Sequence, residues 1–273
     1  MQNIFLSHDV DWRKKGPNSE HIINRKDRFD TELFNKTPIE KMYYNFPEFM
    51  EIEEKYNTKS TFFFRTIYEN GNVYDYENEM KLLNKGGWEI GLHSDPTSVD
   101  NIEKIRKEKN IIEEISQTKV VGNRVHFLKT NELLQKKLNE LDFIYDSSIK
   151  KLKNDYKEDI GYYINNKIIE FPITIMDAYL FTYMKVKEEK IISLFNEILK
   201  YSRKENTEFN IISLLWHDNV LKMKGGRMYP KILEFLSSQD DVVMCSGIEL
   251  VNKIKEKFWI FILWNIISIY FIN

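Results

Sequence analysis

The 273-residue chain has a single cysteine, Cys245, so it cannot form an internal disulfide. Nor does it carry a Cys/His array at zinc-finger spacing, and both absences suit a reducing compartment. Charge of one sign is missing too: 40 basic side chains face 42 acidic ones, a formal charge of −2. That excludes a polycationic nucleic-acid binder. No glycine-rich loop follows a strand-like run, which argues against a phosphate-binding enzyme of that type. The lack of a Gly-x-Ser-x-Gly elbow argues against a Ser-His-Asp hydrolase. Met1 to Asp9 has neither a basic region nor a long apolar stretch, so a secretory signal peptide is not expected and the cytoplasm is the expected location. No repeat or low-complexity linker marks a boundary, and residues 1–257 read as one domain.

Apolar residues make up 42% of the chain, aromatics 14% and charged residues 30%. Such a balance fills one large core and excludes disorder as the main state. Residues 258–273 stand apart, almost wholly apolar and following Lys253, Lys255 and Lys257. Sixteen residues fall short of the ~20 needed to span a bilayer upright. They read either as a buried terminal element or as a tail that meets a membrane surface or a partner.

Short β-rich runs alternate with segments of helical periodicity. The runs are Asn3–Ser7, Ser60–Arg65, Trp88–His93, Val120–Leu128, Phe143–Ser147, Ile168–Ile175, Asn210–His217 and Asp241–Cys245. Between them lie amphipathic stretches at Ile39–Tyr56, Val99–Ser116, Asn131–Leu141, Lys187–Arg203 and Pro230–Ser237. This βα alternation predicts an α/β fold, a parallel barrel or a doubly wound sheet. Around Asn165-Asn166-Lys167 a hairpin replaces a crossover helix, so the barrel is expected to be irregular. Arg13–Pro38 reads as a long loop over one mouth.

Three of the five histidines, His93, His126 and His217, fall at or near the carboxyl ends of predicted strands. His8 sits beside Asp9 and Asp11 at the end of the first. In α/β barrels that face is where βα loops converge on one mouth. Asp9 and Asp11 share a side-chain direction by the period of two, and like charges so placed need a cation or a shared proton; otherwise they cap a turn. Arg124 and His126 share a face by the same rule. Arg124 could clamp a carboxylate with two hydrogen bonds or form an ordinary surface ion pair. His93 is a ligand or a hydrogen-bonded structural residue. The apolar run Ile211–Trp216 delivers His217 either as a general acid or as a mere strand end.

The ordered set His8-Asp9-Val10-Asp11, Gly91-Leu92-His93-Ser94, Arg124 with His126, and Leu214-Leu215-Trp216-His217 resembles the polysaccharide deacetylase (NodB-homology) family over roughly Asn3 to Val251. The resemblance implies a distorted (β/α) barrel that removes N-acetyl groups from amino sugars with a divalent metal, usually zinc. By position it implies Asp9 as catalytic base, Asp11 and His93 as metal ligands, Arg124 as the residue orienting the base, and His217 as catalytic acid. Where the family has its second metal histidine this chain has Thr97, and where the family's Arg-x-Pro-Tyr has proline it has His126. His126 is therefore expected to replace the missing ligand. The run Glu170-Phe171-Pro172-Ile173-Thr174-Ile175-Met176-Asp177 is similar to a branch associated with bacterial surface polysaccharides. There Asp177 either orients His217 or caps the next segment.

The substrate so implied is an N-acetylated amino sugar, on a nucleotide or lipid carrier if the work is cytoplasmic. Trp12, Tyr145 and Trp216 could stack on sugar faces or fill the core. Rival readings are a non-catalytic carbohydrate-binding barrel, should Thr97 have abolished metal binding, and a hydrolase of another C–N bond such as a cyclic amide.

Overall fold

The computed structural model describes residues 1–131, 133–205 and 209–257. Its strands are β1 (Gln2–Val10), β2 (Thr61–Phe64), β3 (Ile67–Tyr68), β4 (Gly71–Asn72), β5 (Glu89–Ser94), β6 (Gly122–Val125), β7 (Tyr145–Asp146), β8 (Tyr163–Asn165), β9 (Ile168–Glu170), β10 (Ile175–Met176), β11 (Asn210–Leu215) and β12 (Val242–Cys245). The main sheet runs β10-β11-β1-β2-β5-β6-β7-β9-β8, with β12 also paired to β1. Every pairing in it is parallel except β8 with β9.

The run Ile168–Ile175 is not one strand. Pro172 has no N–H for a ladder, and the chain divides there into β9, paired with β7, and β10, paired with β11. Residues 168–176 therefore pair at both ends of the curled sheet, β10 at one edge and β9 next to the edge strand β8 at the other, which makes the structure a distorted α/β barrel. The hairpin before it is as expected: Asn166 and Lys167 both have positive φ, 48° and 66°, the two-residue turn that joins twisted antiparallel strands.

Residues 13–38 are not simply a loop. Asn18 caps a helix at Ser19–Ile23 and Asp30 caps another at Thr31–Lys36, each accepting hydrogen bonds from backbone N–H groups. Of the expected helical stretches, Ile39–Tyr56 shortens to a helix at Phe46–Lys55, with only a 3-10 turn at Ile39–Lys41, while the rest fall close to expectation at Ile102–Ser116, Leu134–Glu140, Ile191–Glu205 and Tyr229–Ser237. Helices Glu77–Gly86, Asp177–Thr182 and 247–257 complete the α-helices among the described residues. The apolar tail at 258–273 lies outside the described residues.

Alternation along the strands divides the molecule into two apolar layers. Ile4, Leu6 and Val10 of β1, Phe62 and Phe64 of β2, and Ile90 and Leu92 of β5 face outward and pack under the helices. Phe5, Phe63, Tyr145, Phe171 and Ile211 point inward, where Leu250, Val251 and Ile254 of helix 247–257 join them. This aromatic plug fills the barrel below the carboxyl ends of the strands. It needs glycine beside it, because a Cβ on Gly122 would lie 2.1 Å from the Tyr145 ring and one on Gly91 would lie 2.5 Å from the Phe63 ring.

Candidate metal centre

Above the plug the inward positions become polar. Asp9 continues the inward set of β1, and Asp11 follows just past the strand end. His93 lies on β5 and Arg124 on β6. His126 arrives by a different route from the one expected: β6 ends at Val125, and a short turn carries the histidine inward. Phe127 and Leu128 after it take left-handed conformations, φ 59° and 54°, unusual for bulky side chains and a local strain spent on this reversal.

Asp11 Oδ1 lies 3.2 Å from His93 Nε2 and 3.2 Å from His126 Nδ1, and the two ring nitrogens are 3.1 Å apart. Donors ~2.0–2.1 Å from a tetrahedral zinc sit roughly 3.3 Å from one another, so this triangle has the size of one face of such a site. Among the described residues these three form the group of His, Cys and acidic side chains able to share a cation. The proton inventory agrees. His93 Nδ1 sits 2.9 Å from the Arg124 carbonyl, which can only accept, so Nδ1 carries a hydrogen and Nε2 is the ring atom left to face Asp11. Nε2 and the carboxylate can meet in two ways, through a proton that makes a hydrogen bond or through a cation that takes its place. Burial pushes the Asp11 carboxyl up, but hydrogen bonds from His126 and His93 and the His217 charge outweigh it and hold it well below the carboxylate range. Burial lowers His126, favouring the neutral form that ligates.

Thr97 is elsewhere. Both its N–H and its hydroxyl donate to Asp95 Oδ1, at 2.9 and 2.7 Å, in a surface turn.

On one flank of the triangle Arg124 Nη1 donates to Asp9 Oδ1 at 2.7 Å. The same guanidinium donates to the Ser147 carbonyl and hydroxyl, both at 2.9 Å, and lies over the Phe63 ring. Burial raises the Asp9 carboxyl, yet the charges of Arg124, His93 and His217 bring it below its ordinary value. On the other flank His217 Nδ1 lies 2.6 Å from Asp177 Oδ1, and Nε2 lies 3.5 Å from Asp11 Oδ2. Burial lowers this imidazole, but Asp177 first and then Asp11 and Asp9 override it and push it up to about 10. Asp177 makes no capping hydrogen bond at the helix it begins, which leaves orientation of His217 as its visible contact.

His8 is not part of the site. It faces outward from β1, where Nδ1 meets the Trp216 carbonyl at 2.6 Å and Nε2 meets Glu53 at 2.8 Å. Tyr145 and Trp216 are fully buried core residues and not sugar platforms; Trp12 alone of the three lines a cavity by the site. Ser147 was not anticipated, although its place at the end of a predicted strand was the available signal. Glu170 supports it: Oε1 accepts from the N–H groups of Ser148 and Ile149, both at 3.1 Å, fixing the turn that grips Arg124.

No protein-family model and no curated protein matches the chain. Solved structures do. A Mycobacterium smegmatis protein assigned to the polysaccharide deacetylases is 17% identical, covering 93% of this chain and 90% of that one with a TM-score of 0.63. An allantoinase is 14% identical over 92% of this chain and 89% of that one, with a TM-score of 0.64. A CE4-family pseudoenzyme from Bacillus anthracis is 13% identical over 91% and 65%, with a TM-score of 0.52. At these identities the likeness is one of fold.

Proposed function

We propose that this chain belongs to the polysaccharide deacetylase (NodB-homology) family and is a metal-dependent N-deacetylase of an amino sugar. The observation that supports it is a single convergence: the Asp11, His93 and His126 donors form one triangle, flanked by the Asp9–Arg124 pair and the His217–Asp177 pair. Those three ligands would hold a divalent first-row cation, and two nitrogens with one oxygen favour zinc. When bound, such a cation supplies Lewis-acid chemistry, polarising an acyl oxygen and acidifying water.

The protein's own groups then divide the proton traffic. Asp9, its Oδ1 held by Arg124, accepts the proton of the attacking water at Oδ2 as the oxygen bonds to the acyl carbon. His217, held at Nδ1 by Asp177, donates from Nε2 to the departing nitrogen as the C–N bond breaks, leaving acetate and a free amine. The Glu170 to Asp177 run joins the two flanks, since one end fixes the turn that grips Arg124 and the other orients His217. This fits the surface-polysaccharide branch of the family.

A second reading, hydrolysis of a cyclic amide, is favoured by the likeness to the allantoinase. Acetate release from N-acetylated sugars by the zinc-loaded protein tests the first reading, with Asp9→Asn as the inactive control. Ring opening of a cyclic ureide without acetate release would replace it by the second.

A further inference from the structure

Two cavities meet at Asp11 and His217. One, of about 580 Å³, contains His93 and His126. The other, of about 680 Å³, touches neither and extends toward residues 21–28 and 219–226. Its far rim carries Arg25, Arg28 and Lys224 against one carboxylate, Asp27, a local excess of two positive charges.

These cations are held but not neutralised. Lys224 N–H donates to the Arg28 carbonyl at 2.7 Å, Lys224 Nζ donates to the Asp27 carbonyl at 2.9 Å, and Phe29 bridges Met223. Arg25 Nη1 donates to the His21 carbonyl at 3.3 Å. Among the described residues none of the three is paired with a carboxylate, whereas neighbouring Arg227 is bonded to Glu188 at 2.8 Å and lies 3.5 Å from Asp30. Between rim and site the walls are flat: Trp12 packs edge-on against His21 and Tyr43, with ring centroids 4.8 and 5.7 Å away. A cavity with His217 and Asp11 at one end, aromatic walls, and two guanidinium forks with an ammonium among its other lining residues suits a sugar bearing a phosphate. A single carboxylate would leave half of that charge unmatched, while a diphosphate diester carries the two negative charges the rim lacks.

We propose that the Arg25, Arg28 and Lys224 rim binds the phosphate or diphosphate of a glycosyl phosphate ester, so that the substrate is a phosphate-linked amino sugar and not a neutral polymer. The sugar part rests on the deacetylase reading; the anion part does not.

Calorimetric titration of the zinc-loaded full chain with inorganic pyrophosphate tests the anion site by itself. Binding should weaken about tenfold in each of Arg25→Ala and Arg28→Ala, the size of one lost charge-assisted hydrogen bond, at unchanged zinc content. Because zinc could itself bind pyrophosphate, the difference between wild type and variants is the readout. Equal binding in all three proteins would overturn the proposal. Deacetylation is then compared between UDP-N-acetylglucosamine, its polyprenyl diphosphate counterpart in detergent micelles, and neutral N-acetylglucosamine oligomers. The phosphate-bearing sugars should be preferred, with the preference collapsing in Arg28→Ala and the faster of the two naming the carrier. Preference for the neutral oligomers would also overturn the proposal. Arginine-dependent pyrophosphate binding without any deacetylation would uphold the anion site and defeat the deacetylase reading instead.

Discussion

Arg124 Nη1 donates to Asp9 Oδ1 at 2.7 Å in a place almost sealed from water, with the arginine 0% and the aspartate 3% exposed. A buried charge pair is a poor source of stability, because desolvation of both ions offsets their attraction. In the proposed reaction this one has a use: it keeps Asp9 ionised and fixes which of its oxygens is free. Ser147 completes the arrangement by accepting two further hydrogen bonds from the guanidinium.

Breaking that pair should therefore be costly twice. Arg124→Ala leaves a buried carboxylate without its partner and should lose about 3–5 kcal/mol of unfolding free energy. Arg124→Lys keeps the charge but cannot reach Ser147 and Asp9 together, and should fold while losing about 100-fold in kcat through misplacement of the base. Chemical denaturation and steady-state kinetics on the two variants check this.

Asp9→Asn separates base from ligand. Zinc content should stay at the wild-type level, since the triangle uses Asp11, while turnover falls by about 100-fold or more. Asp11→Ala should lose both. Full turnover by Asp9→Asn would remove the aspartate from the chemistry.

The acid role proposed for His217 has its own signature. A donor must be protonated, so activity falls as pH rises through the His217 pKa, which Asp177 helps to raise. Asp177→Asn removes that charge, lowers the pKa and should move the alkaline limb of the pH–rate profile to lower pH, by roughly 1–3 units. A limb that does not move would leave Asp177 without a role in proton transfer.

How much of this was legible in the sequence depends on which rule each residue obeys. The alternation in β1 places Phe5, Ser7 and Asp9 inward and Ile4, Leu6 and Val10 outward, and both sets can be read from the letters. His8 obeys the same rule, but its proximity to Asp9 in sequence draws it into the wrong cluster; its partner Glu53 is 45 residues away on a helix. Trp216 is likewise an outward position, hence core. His126 reaches the face that period two assigns it, yet through a turn with two left-handed residues that no periodicity encodes. The helices within 13–38 are five and six residues long, too short for an apolar period, and only their caps Asn18 and Asp30 announce them. The break at Pro172 was available from proline's missing donor, but its consequence, one segment pairing at both ends of the sheet, is a property of the tertiary structure.

Away from the metal triangle, Glu108 gives the stability a pH dependence. Burial raises its carboxyl to about 7, against hydrogen bonds from Ser98 and the Asp95 N–H that lower it. Between pH ~4.5 and ~7 the unfolded chain has lost this proton while the native protein keeps it, so stability falls with rising pH across that window and levels off above it. Glu108→Gln keeps an acceptor for Ser98 and should abolish that contribution, making the variant more stable at pH 8 by on the order of 2–3 kcal/mol. Urea midpoints at pH 5 and pH 8 for both proteins decide it.

In the proposed metal centre His126 occupies the ligand position for which Thr97 is unsuited. Elemental analysis of protein purified without added metal or chelator, wild type beside His126→Ala, tests it directly. About one zinc per chain is expected in the wild type, with affinity lowered roughly 10- to 100-fold or more in the variant, at least what loss of a supporting contact to a ligand costs. Equal zinc in both proteins would remove His126 from the ligand set, and none in the wild type even after zinc is supplied would remove the metal centre itself.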